Sequence, residues 1–184
     1  MNAFPRLVVI AALALGGCSA TGNTPQSAPA TSPSIPSPFG GTDLAWIEIN
    51  IAMDEQLLPL LDLPPKRTTD PSTLALTTQV KAFTQAELGL LKQLHTRAGL
   101  PDENPHEGMP MPGMVTPEQV AEASQLAGPA FDETVTKHIK AHLEQSRNLA
   151  RSEEKSGTEP QTRQLALQIL RTREVALSTI ETAN

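Results

Sequence analysis

The chain repeats itself. Displaced by 89 positions, residues 43–91 fall on residues 132–180 without a gap, and twelve of the 49 aligned pairs are identical. Among them are Asp43 on Asp132, Ala52 on Ala141, Glu55-Gln56 on Glu144-Gln145, Pro71 on Pro160 and Leu88 on Leu177. A repeat of this length is one supersecondary unit used twice. Neither copy can bury its apolar face alone, so the two are expected to close on each other. The question of function then turns on the polar residues that interrupt those apolar faces.

The apolar spacing is helical, with no long alternation of apolar and polar residues. A first helix is expected from Thr42 or Asp43, either a good N-cap, carrying Leu44, Ile47, Ile51, Leu58 and Leu61. Pro59 should kink it or end it early. Asp70-Pro71 is a cap and first-turn pair opening a second helix, which Gly99 and Pro101 close. Thr116-Pro117-Glu118 starts a short third helix ending near Gly128. A fourth runs from about Pro129 to Lys155, and a last from Thr158-Glu159-Pro160 to the C-terminus. The predicted fold is all-α: an antiparallel, ferritin-like four-helix bundle made of two duplicated hairpins, joined by a loop and a short connecting helix.

The ends bear on location. Arg6, the apolar run Leu7–Leu15 and Leu15-Gly16-Gly17-Cys18 have the layout of an export signal at residues 1–17. Nine apolar residues are too few to span a bilayer, which takes roughly 20. The Leu-Gly-Gly-Cys sequence looks like a bacterial lipobox, with Cys18 as the lipidated first residue of the mature protein; the alternative is an ordinary signal with an incidental cysteine. Cys18 is the only cysteine in the sequence, so an intrachain disulfide is excluded. Two or three acyl chains would fix the protein to the cell membrane or outer envelope, on the extracytoplasmic side. Residues 18–41 then form a Pro-, Ser- and Thr-rich linker, with prolines at 25, 29, 33, 36 and 38, and residues 42–184 the folded bundle. A net charge of −6 with no basic stripe excludes a nucleic-acid partner. One Trp, four Phe and no Tyr leave little to build a stacking platform for sugars or bases.

Two features carry chemistry. His106-Glu107-Gly108-Met109-Pro110-Met111-Pro112-Gly113-Met114 puts three of the five methionines on one loop. Thioethers and imidazole suit copper(I); the alternative is an adaptable apolar plug at the bundle end. The second feature is a set of polar residues on apolar seams. Glu87 interrupts Leu76, Val80, Phe83, Leu90 and Leu94, and Asp54 interrupts Ile47, Ile51, Leu58 and Leu61. His138 and His142 share a face with Val135 and Leu149. A buried carboxylate is costly unless paired, hydrogen-bonded or bound to metal. Convergent carboxylates and histidines are how bundles build metal sites. The structural alternative is that Glu87 pairs with His142 or Arg173, that Asp54 reaches water at the seam's edge, and that His138 is half-exposed.

The sequence resembles the DUF305 family, ferritin-like helical bundle proteins of bacterial envelopes, several of them associated with copper or silver handling. The resemblance covers about residues 43–181. It rests on His106-Glu107-Gly108-Met109-Pro110, Thr116, Gly128, Phe131-Asp132, Ala141-His142, Leu149-Ala150 and Leu165-Ala166, which follow a pattern of HxGMPGM, a short helix, FDxxFLxxMIxHHxxAxxMA and LAxxI. The family's His-His pair reads Met53-Asp54 in the first repeat and His142-Leu143 in the second. Its Gln-x-x-Glu reads Thr84-Gln85-Ala86-Glu87, then Arg173-Glu174-Val175-Ala176. The resemblance therefore implies His142 and Glu87 as metal-facing groups, with His106 and Met109 beside them. Met53, in a histidine's place, remains an acceptable copper(I) ligand.

Two expectations about function follow. One is a lipid-anchored binding protein that holds copper or a similar soft ion without catalysis, using Met109, Met111, Met114 and His106, with Met53, His142 and Glu87 as an inner set. The other is a bundle that binds no metal and presents a helical face to another envelope protein. No phosphate loop or nucleophile elbow is present, and His138-x-x-x-His142 lacks the glutamate of a zincin, so no enzyme is expected.

Overall fold

Prolines, glycines and hydroxyl caps cut the chain into helices where local chemistry demands. The computed structural model describes residues 37–183, so the expected signal sequence and Cys18 lie outside the described residues. The elements are α1 Gly41–Leu61, α2 Pro71–Ala98, α3 Pro117–Gln125, α4 Gly128–Ser156 and α5 Pro160–Ala183, with a 3₁₀ turn at Pro64–Lys66. There is no strand among the described residues. The Asp70 carboxylate accepts the Thr73 amide at 2.7 Å, and Pro71, which needs no donor there, follows it. Gly99 ends α2 in the left-handed conformation, φ 68°. Thr116 and Gln119 cap α3 reciprocally.

Two local expectations are corrected. Gly40, not Thr42 or Asp43, is the N-cap of α1; Asp43 sits one turn in and accepts the Gly40 amide at 2.6 Å. Pro59 lies inside α1, which continues to Leu61.

Each long helix packs on two neighbours, in the ring order α1, α2, α5, α4. Each hairpin is antiparallel, and hydrogen bonds mark the two ends of the bundle. At one, the Thr158 amide meets Asp43 at 3.0 Å; at the other, the Gly128 amide meets the Arg67 carbonyl at 2.8 Å. Two apolar clusters fill the interior. Leu57, Leu60, Val80, Phe131, Val135, Ile139, Leu143 and Leu177 make one, and Trp46, Ile47, Leu91, Ala166 and Ile169 belong to the other. Near the junction of the clusters every long helix buries a polar residue, Asp54 on α1, Thr84 and Glu87 on α2, His142 and Ser146 on α4 and Arg173 on α5, beside a third small apolar group of Ala52, Met53 and Met114. The bundle therefore has a polar waist.

The buried seam is rotated slightly from its sequence reading. On α2 it passes through Thr84 and Leu91, not Phe83 and Leu90; on α1 it passes through Leu57, not Leu58. Leu91 is fully buried and Leu90 is 39% exposed. Leu91→Ala should therefore cost about 2–5 kcal/mol in urea unfolding. Leu90→Ala should fall within about 0.5 kcal/mol of wild type. Equal losses at the two positions would contradict this register.

Candidate functional site

At the waist, α2 and α5 bring Glu87 and Arg173 together, with Arg173 Nη2 at 2.7 Å from Glu87 Oε2 and both side chains excluded from water. The Thr172 hydroxyl donates to the other carboxylate oxygen at 3.0 Å, and Arg173 Nε donates to Ser146 Oγ at 3.1 Å. The guanidinium also lies 4.6 Å from the centre of the Phe83 ring. Burial raises the Glu87 pKa above the usual carboxylate range, and the charge and hydrogen bonds of Arg173 oppose that rise. Of the two structural pairings considered for Glu87 from sequence, the one with Arg173 forms. The repeat is broken here, since Arg173 stands where the first copy has Thr84 and Ala176 where it has Glu87.

His142 is the second inner group, and its surroundings differ. It is fully buried, and its Nε2 faces Asp54 Oδ1 at 3.6 Å, beyond hydrogen-bond length. Neither ring nitrogen closes a hydrogen bond of normal geometry, and neither does Asp54 Oδ2. Asp54 does not reach water at a seam edge; it is 1% exposed. Burial pushes the His142 pKa down, against the pull of nearby Asp54 and the Gly113 backbone, with the charge of Arg173 adding to the fall. Burial thus favours the neutral imidazole.

The methionine loop closes over this face. Gly113 has φ 76°, and a Cβ there would lie 2.6 Å from both the Ala141 carbonyl and Gln145 Cβ, so only glycine allows the loop to sit this close to α4. The approach seats Met114 on Met53 and Ala52, with Met111 and Leu149 packed against them. Met53 is fully buried and Met114 is nearly so. His142 borders this cluster from two sides, through Asp54, the chain neighbour of Met53, and through Gly113, the neighbour of Met114.

Of the sequence-predicted set, then, Met53, Met111, Met114 and His142 lie in one neighbourhood. Met109 is 42% exposed on the outer part of the loop. His106 is half-buried, its amide held by Asn104 Oδ1 at 2.9 Å and its Nδ1 without a partner. Glu87 is engaged by Arg173 and Thr172, and His138 is half-buried on α4. Among the described residues no group of three histidine, cysteine, aspartate or glutamate side chains could hold a metal ion. Met53, Met114 and Met111 pack in one cluster, and His142 reaches its edge through Asp54 and the Gly113 backbone. Ser146 and Thr172, which complete the Arg173 environment, were not singled out from sequence. Ser146 stands one helical turn from His142, and that spacing was the available signal. A groove of about 1040 Å³ is lined by Leu76, Asp132, Lys140 and Ile180 among others and includes none of the inner residues.

Two expected outcomes test this arrangement. Arg173→Leu strands Glu87 and should cost about 3–5 kcal/mol at neutral pH. The loss should shrink as pH is lowered, because Glu87 then takes up a proton and no longer needs a counter-charge. Gly113→Ala should destabilise more than Gly108→Ala by chemical denaturation. Both glycines have positive φ, but only Gly113 has the α4 backbone against it.

Comparison with known proteins places these features. The fold matches the crystal structure of a DUF305 protein of Streptomyces coelicolor, assigned as secreted, with TM-score 0.68 and 16% identity over 76% of this chain and 88% of that one. It also matches a DUF305 fragment from Deinococcus radiodurans, with TM-score 0.70 and 17% identity over 79% of this chain and 97% of that one. No curated protein matches the sequence. The model of DUF305, a domain of unknown function, matches residues 43–183, and the chain belongs to that family.

Proposed function

We propose that this is a lipid-anchored envelope protein that binds copper(I), or a similar soft monovalent ion, without turnover. The observation that carries the reading is His142: an imidazole, wholly buried, with neither ring nitrogen hydrogen-bonded, next to Asp54 and Gly113, the chain neighbours of the packed Met53 and Met114. A buried nitrogen without a partner is costly, and bonding to a cation removes the cost. One imidazole with two or three thioethers is a donor set for copper(I) or silver(I) rather than for magnesium, calcium or zinc. Asp54 supplies a carboxylate near the incoming charge. In this reading Met53, Met114 and His142 form the inner site, Met111 completes it, and Met109 and His106 receive the ion on the outer loop. Glu87 takes no part, because Arg173 already satisfies it.

The alternative is a bundle that binds no metal and serves as a structural or protein-interaction module in the envelope. The Arg173–Glu87 pair favours it, since a fixed guanidinium occupies the inner carboxylate that a multivalent ion would need.

Titration of the apo-protein with copper(I) against a chelating competitor separates the two. The binding reading expects one retained equivalent, lost or weakened at least tenfold in Met53→Leu, Met114→Leu and His142→Phe, with no retention of zinc. At 100 times its dissociation constant the ion should stabilise the native state by about 2.7 kcal/mol. No retained copper(I) and no thermal shift would leave the structural module. The anchor is tested separately: Cys18→Ser should move the protein from the membrane to the soluble fraction and remove labelling by fatty acid.

A further inference from the structure

A cluster of acidic groups lies at the bundle end where α1 and α5 both begin and α4 ends. Asp43 of α1 is fully buried, and four donors converge on its carboxylate: the Gly40 amide at 2.6 Å, the Thr158 amide at 3.0 Å, the Thr158 hydroxyl at 2.7 Å and the Glu159 amide at 3.1 Å. Three of those donors come from residues 115 or 116 positions away in sequence. Within hydrogen-bonding reach of the Asp43 side chain lies Glu153, in the last turn of α4. It too is fully excluded from water, and no donor reaches either of its oxygens. Its carboxyl lies directly against Gly157, where even a Cβ would stand 2.0 Å from Oε1.

A buried ionised carboxylate with no donor, set against a second carboxylate, would be untenable. The contradiction disappears if Glu153 carries a proton and donates it to Asp43. We propose that Asp43 and Glu153 share one proton in a clasp that ties the start of α1 to the α4–α5 turn, and that the clasp opens when the proton is removed. The remaining charged neighbours fit this arrangement. Glu159, just before α5, adds negative charge beside Glu153 and is itself engaged by Thr162, at 2.6 Å from its amide, and by Arg97 of α2 at 3.2 Å. Arg163 of α5 is the cation facing Glu153, and it does not cancel the repulsion.

The electrostatics of the two carboxyls agree. Burial, then the hydrogen bond and charge of Asp43, lift Glu153 to about 8. Burial alone would raise Asp43, but the bonds from Glu153, Thr158, Gly40 and Glu159 outweigh it and bring it to about 2. A raised carboxyl stabilises the fold fully below its ordinary value of 4.5, and the contribution is lost as pH climbs through about 8. A lowered one stabilises above its ordinary 3.8 and is lost as pH falls toward 2. The clasp is therefore tightest in mildly acidic solution. On opening, the proton passes to base in the solvent, the two carboxylates repel, and the bonds that tie Gly40 and Asp43 to Thr158 loosen. Phe39 marks the point where the residues preceding the bundle join it.

Two measurements test the clasp. Glu153→Gln replaces the proton donor by an amide that donates at every pH. The difference in Tm between wild type and this variant should decline steadily from pH 5 to pH 8 and level above, at fixed ionic strength; a difference that does not change with pH overturns the proposal. In wild type, hydrogen exchange at the Gly40, Thr158 and Glu159 amides should accelerate above pH 7 more steeply than at the Thr73 amide, whose Asp70 partner has no second carboxyl. Parallel acceleration at all four amides overturns it as well, whether or not the variant folds.

Discussion

Closing two copies of one hairpin on each other buries every residue on their facing seams, polar ones included, and the interior is arranged around that constraint. Apolar seam residues separate into two clusters, and the polar ones are left between them as a layer that water cannot enter. Each must then be satisfied inside the protein or left as a site for something else. Glu87 and Arg173 neutralise each other's charge, with Thr172, Ser146 and Phe83 completing the guanidinium's surroundings. His142 and Asp54 are not satisfied in this way. That difference, within a single buried layer, is what separates a structural pair from a candidate ligand set.

Broken symmetry creates the difference. A perfect repeat would put matching groups on both sides of the waist. Here the first copy supplies Met53, Asp54, Thr84 and Glu87, and the second His142, Leu143, Arg173 and Ala176. A cation built into the chain stands on one side, and a neutral imidazole with thioethers on the other. The bundle ends diverge similarly. Asp43 gathers donors from Gly40 and the α5 N-terminus, whereas Pro129, which has no N–H, stands in the second copy at Gly40's position.

The fold was largely legible in the sequence because its signals are local. Asp70-Pro71, Gly99 and Thr116-Pro117 act within one turn of where they stand, and the helices they delimit are the observed ones. The repeat supplied the long-range pairing that local signals lack. What was misread depended on small rotations. A shift of one residue in the seam decides between Leu90 and Leu91, and between Asp54 at an edge and Asp54 inside. The Asp43–Glu153 contact was not legible, because it depends on the register of α1 against α4 and α5, which no spacing along the chain encodes. The inner residues were named from the breaks they make in apolar seams. Which of them meet is set by the close approach at Gly113, and loop docking of that kind is written in φ and clearance rather than in periodicity.

The proposed function requires the waist to take up one soft ion through sulfur and a single ring nitrogen. X-ray absorption at the copper edge of the copper(I)-loaded protein tests it most directly. The account predicts a first shell with two or three sulfur neighbours and one nitrogen, from which sulfur is depleted in Met53→Leu and Met114→Leu. A shell of oxygen and nitrogen alone, or sulfur scattering unchanged by those substitutions, would contradict it.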